Sequence, residues 1–115
     1  MVNGRLAVAV ALFSLLAASQ FAWGFGGNSE RGQEIFMQRC AMCHGSDGGG
    51  NDGMAVDFRA EWYRLAKSDA EIAQSLRNGV STPGRTYNAG AMPPQALNDR
   101  DMSDVIAFLR SAFNQ

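Results

Sequence analysis

Two thiols and an imidazole stand within five consecutive residues, Cys40-Ala41-Met42-Cys43-His44, and the chain has no other cysteine or histidine. That stretch restricts the available chemistry. A redox-active dithiol of the thioredoxin kind needs a βαβ context, which the sequence lacks. A structural zinc site needs four ligands, and two cysteines with one histidine leave it one short. In an exported protein two cysteines commonly pair as a disulfide. The remaining reading is C-x-x-C-H as the sequence form of covalent c-type haem attachment. Each thiol forms a thioether with a haem vinyl group, and no disulfide is then available. The adjacent His44 imidazole lies beneath the iron as proximal ligand.

The 115 residues suit one domain. Their distribution is uneven. Arg5 precedes an apolar run from Leu6 to Ala18 that Ser14 alone interrupts, and Ala22-x-Gly24 offers small residues for cleavage. This pattern predicts a secretory signal peptide over 1–24 and a domain over 25–115. Cleavage after Ser19 also fits. The rival reading is an uncleaved membrane anchor, because the run extends to Trp23 and a span takes about 20 apolar residues. The expected location is the periplasm, with membrane attachment only if the segment is kept. Ten Lys and Arg stand against eleven Asp and Glu, for a net charge of −1. There is no basic patch, which argues against nucleic acid as a partner.

The spacing predicts an all-α domain of three to four helices with long loops. A first helix begins at Ser29 as N-cap, with Glu30 in its first turn, and carries Gly32 and Phe36 on one face. Gly45 to Gly53 holds five glycines and reads as a loop that wraps the proximal haem edge. A nucleotide-binding reading of those glycines fails, since no strand precedes them. Ser68-Asp69-Ala70-Glu71 is a capping box opening another helix, which Asn78-Gly79 ends. Asn98 caps the last helix, whose stripe is Met102, Val105, Ile106, Leu109 and Phe113, extended by Phe108. Trp62 and Tyr63 combine apolar bodies with polar tips. Arg59, Trp62, Arg85 and Tyr87 are the candidate partners of the haem propionates.

With one histidine, the sixth position on the iron belongs to methionine, another weak ligand, water or nothing. Met42 lies inside the attachment motif and Met37 one turn before it. Met54 sits in the wrapping loop and Met102 in the apolar stripe. Met92 stands in a loop before Pro93 and Pro94, which restrict its backbone to extended geometry. It is the best-placed distal ligand.

In these features the chain resembles a monohaem class I c-type cytochrome, from Gly32 to the last helix. Cys40, Cys43, His44 and Met92 match the family's attachment and ligand positions. Gly32 and Phe36 match its first helix, and Val105 and Phe108 the helix that crosses it. The resemblance implies the small cytochrome c fold around one haem c. The family often has a proline in the wrapping loop whose carbonyl accepts the histidine N–H. Met54-Ala55-Val56-Asp57 has none, which leaves a backbone carbonyl near Val56 for that role. Two filled axial positions imply one-electron transfer between a donor and an acceptor protein, through small transient interfaces. Two other readings share the haem. One is an enzyme or gas sensor with a labile sixth ligand, for which no second histidine is available as acid–base group. The other is a dedicated cytochrome subunit of a larger dehydrogenase.

Overall fold

The computed structural model of the chain describes residues 26–81 and 90–113. The expected signal segment, Arg85 and Tyr87 lie outside the described residues. Among the described residues, four α-helices form: α1 (Ser29–Arg39), α2 (Ala41–His44), α3 (Asp69–Asn78) and α4 (Asp99–Phe113). A single 3-10 turn, Trp62–Leu65, precedes α3. No strand forms among the described residues; Val80 and Met92 make one isolated antiparallel bridge.

The start of α1 corrects the expected cap by one residue. Asn28, not Ser29, accepts the Arg31 N–H at 3.0 Å. An Asn side chain satisfies one of the donors that a helix start leaves unpaired. Ser29 is freed for α4, where its hydroxyl meets that of Ser111 at 2.8 Å.

α1 and α4 form the frame, and their closeness follows from glycine. A Cβ on Gly32 would overlap the Asp104 carbonyl and press on Phe108 Cβ; one on Gly27 would overlap the Ser103 carbonyl. Only glycine lets the backbones approach this far. Phe36 and Val105 fill the crossing, each 1% exposed, and the Phe36 and Phe108 rings lie 5.2 Å apart. Burying side chains of this size contributes about 1.5–3 kcal/mol each. The Asn28 N–H also donates to the buried Asp104 carboxylate at 2.7 Å, tying the start of α1 to the middle of α4.

α3 carries the expected capping box, with Ser68 and Glu71 satisfying each other's backbone N–H. Its apolar face, Ile72, Ala73 and Leu76, packs into the same core. Arg110 of α4 binds the approach to α3 in three places. It donates to the Leu65 carbonyl at 3.0 Å, the Lys67 carbonyl at 2.5 Å and the Asp69 carboxylate at 2.6 Å. Asn98 accepts the Asp101 N–H at 2.8 Å, as expected of the α4 cap.

Candidate functional site

The C-x-x-C-H stretch is a helical turn set between two breaks. α1 ends at Cys40, whose N–H still bonds the Phe36 carbonyl at 2.8 Å. The next turn is then closed by His44 N–H to the Cys40 carbonyl at 2.8 Å. Residues three and four apart on such a turn share a face, so Cys40, Cys43 and His44 lie on one side. Met42 falls on the other side and is 79% exposed. Gly45, at φ 80° and ψ 151°, ends the turn in a region that is essentially glycine-only. The chain then folds back through further left-handed positions at Gly48, Gly50, Asn51, Asp52 and Gly53. Gly50 N–H bonds the His44 carbonyl at 2.7 Å and Phe58 N–H the Gly48 carbonyl at 2.9 Å.

That fold-back delivers Phe58 onto His44. Their rings stack at 4.7 Å with 14° between planes, and Phe113 stacks behind Phe58 at 5.4 Å. The imidazole plane is thus set by aromatic packing anchored at the end of α4. Burial lowers the imidazole pKa, and the Val56 backbone carbonyl opposes this. The neutral form is favoured, and it is the form that ligates metal. Nδ1 is nonetheless buried without a hydrogen bond of ordinary geometry. Val56, in the loop expected to supply a backbone carbonyl, is the neighbour that opposes the burial effect. Cys40 and Cys43 are free thiols. Burial raises the Cys40 pKa, opposed by the Arg39 guanidinium and reinforced by Cys43.

Cys40, Cys43, His44 and Met92 all line one cavity of about 410 Å³, a size typical of cofactor sites. Its walls are mainly apolar, with Phe36, Val56, Leu65, Ile72, Leu76, Val105 and Leu109 among them. Met92 enters from the loop after α3, half-buried, with its backbone bridged to Val80. Met54 also lines the cavity, from the wrapping loop. Met37 and Met42 do not, and Met102 is buried in the core at 2% exposure.

The expected propionate partners fare differently. Arg59 is drawn to Asp47 at 3.4 Å and Asp57 at 3.7 Å, and it does not line the cavity. Trp62 stands 45% exposed with its ring edge-on to Tyr63, also off the cavity. The basic groups that do line it are Arg39, Arg64 and Lys67. Arg64 is held by Glu61, fully buried, whose carboxylate accepts from Arg64 Nε and Tyr63 Oη at 3.0 Å each. Adjacency to Cys40 is the one sequence signal that could have pointed to Arg39. Arg64, beside Trp62 and Tyr63, was legible as a candidate for charge pairing, whereas Glu61 carried no signal, because a carboxylate in a polar stretch reads as solvated.

The residues fit a covalently held haem. Two free thiols stand at an apolar cavity, with a neutral imidazole beside them whose Nδ1 finds no protein hydrogen bond. No group of three or more His, Cys, Asp or Glu among the described residues could hold a metal ion directly.

Comparison with known proteins agrees. The cytochrome c subunit of a quinone-dependent alcohol dehydrogenase from Gluconobacter oxydans is 28% identical over 76% of this chain, which spans only 19% of that protein's length. A cytochrome c-553-like protein from Synechocystis is 27% identical over 90% of both chains. Cytochrome c6 of Cyanidium caldarium is 29% identical over 95% of this chain and 92% of its own. No solved structure matches the chain. The family model for cytochrome c matches residues 29–113. The chain therefore belongs to the cytochrome c family, electron carriers rather than enzymes, whose iron is held in a covalently bound haem c.

Proposed function

We propose that Cys40 and Cys43 carry the haem as thioethers and that His44 and Met92 ligate its iron. The observation that supports this is the convergence of all four residues on one apolar cavity. Bound haem c supplies a one-electron couple at iron. The protein's own part is to hold two ligands in place through the cycle. The stacked His44 supplies one and the proline-flanked Met92 the other, and a thioether ligand favours the reduced state. An apolar wall raises the potential further by disfavouring the extra charge of ferric iron. With both axial positions filled, little rearrangement accompanies electron transfer.

The test is spectroscopic. The reduced protein should show a c-type α-band, and the oxidised protein a methionine–iron charge-transfer band that Met92→Ala abolishes. Rapid carbon monoxide binding by the native reduced protein would overturn the assignment of Met92.

We place the carrier in the periplasm, exported by residues 1–24, with electrons passing between a donor oxidoreductase and a terminal acceptor. The apolar run before Ala22-x-Gly24 supports export. An intact mass that retained residues 1–24 would instead mean a kept anchor; among the described residues no helix is long and apolar enough to cross a membrane. Arg39, Arg64 and Lys67, which line the cavity, join Arg59, Trp62, Arg85 and Tyr87 as candidate neighbours of the haem carboxylates. The likeness to the cytochrome c subunit of a dehydrogenase favours a second reading, in which the chain serves one enzyme complex. Co-purification of a dehydrogenase with the native protein distinguishes the two.

A further inference from the structure

The Met92 loop is held by its backbone, and the hold depends on one glycine. Val80 N–H bonds the Met92 carbonyl at 2.9 Å and Met92 N–H the Val80 carbonyl at 2.8 Å. Three residues on, Gln95 N–H bonds the Leu76 carbonyl at 2.7 Å. The loop is therefore pinned to the end of α3 at Met92 and again just beyond it. Gly79 lies between those pins, at φ 77° and ψ 175°, a region that is essentially glycine-only. A Cβ there would stand 2.5 Å from the Met92 carbonyl oxygen, 3.0 Å from Pro94 N and 3.1 Å from Pro94 Cδ. The atoms it would meet are backbone and proline ring, which cannot swing aside as a flexible side chain would. The Met92 loop closes on α3 only because residue 79 has no side chain.

We infer that Gly79, through the Val80–Met92 bridge, is a positioning residue for Met92: it sets how firmly the thioether is presented to the haem iron and how readily an outside ligand displaces it. This rests on Met92 being the axial ligand. Alanine at 79 must either leave its backbone conformation or push the Met92 carbonyl away, and both open the bridge. In the opened state Met92 is no longer held, and a competing ligand gains by the population of that state.

The experiment uses the ferric holoprotein and titrates it with imidazole. Backbone strain of the size expected at a glycine-only position corresponds to a roughly 5- to 150-fold change in equilibrium. Gly79→Ala should bind imidazole tighter by a factor in that range. The Val80 and Met92 amides should exchange hydrogen faster, while those of α1 and α4 stay protected. Gly27→Ala is the control, since it crowds the α1–α4 contact instead. It should lower overall stability and leave imidazole affinity unchanged. If Gly79→Ala does not fold, Pro94→Ala loosens the same contact from its exposed side and should tighten imidazole binding by a smaller factor. Wild-type imidazole affinity and amide protection in the folded variant would overturn the inference. The underlying assignment fails separately, if Met92→Ala retains the charge-transfer band.

Discussion

At the scale of single residues, His44 shows what a motif contains and what it omits. The motif names a candidate ligand but not what orients it. Phe58 does so, fourteen positions away, and its flat stack on the imidazole exists only because the glycine loop folds back. Nothing in the local pattern distinguished Phe58 from an ordinary core residue. Its neighbour Arg59 has two carboxylates at short range, Asp47 and Asp57, which the local pattern did not single out either. A prediction belongs here. Phe58→Leu keeps an apolar side chain but removes the ring that faces both His44 and Phe113. Core changes of this kind cost about 1–3 kcal/mol, and lost ring pairs fall in the range of 0.5–1.5 kcal/mol each, roughly. Guanidinium unfolding followed at the Soret band should show a loss of that size, together with altered ferric electron paramagnetic resonance as the imidazole plane is released. Unchanged resonance would mean that the ring is oriented by something else, the Val56 carbonyl being the first alternative.

At the scale of elements, periodicity was a sound guide. The α4 stripe, the capping box of α3 and the glycine stop after it all stand as the spacing indicates. Gly32 was legible as a contact point because a helix interior otherwise disfavours glycine. Less legible was the second close approach at Gly27, which lies before the helix and read as part of a flexible start. The Val80–Met92 bridge was also unreadable, since it joins two loops with no alternating pattern. The crossing allows two opposed effects to be compared. Gly32→Ala gains about 0.5–1 kcal/mol from helix propensity. It loses about 1–3 kcal/mol, and sometimes more, from overpacking against a backbone carbonyl. The loss wins, because the obstacle is the Asp104 carbonyl and its helix must move as a unit. Thermal unfolding of Gly32→Ala holoprotein should show a lower midpoint. A raised midpoint would mean that α1 and α4 have room to separate at no cost.

At the scale of the whole molecule, the decisive quantity is the space at the centre. Among the described residues, fourteen buried apolar side chains form the core, and several of them also line a cavity of about 410 Å³. The cavity opens to solvent, so the apolar side chains that line it contribute less than a closed core would, in a class of domain that is typically stable by only about 5–15 kcal/mol. A chain this small has no surplus core to offset it. We expect the fold to depend in part on a group that fills this cavity, because Leu65 of the 3-10 turn, Ile72 and Leu76 of α3, and Met92 all line it. This separates the elements. α1 and α4 meet each other closely through Gly32, Phe36 and Phe108, whereas α3 meets α4 over a smaller contact and lines the cavity with Ile72 and Leu76. The Cys40→Ala/Cys43→Ala double variant, purified without haem, should therefore lose cooperative unfolding and near-ultraviolet dichroism while keeping part of its helical signal. Amide exchange in that variant should leave residual protection in α1 and α4 and none in α3. A haem-free chain with a sharp thermal transition and native protection in α3 would show that the cavity collapses into a packed core, and that haem is a passenger in the fold.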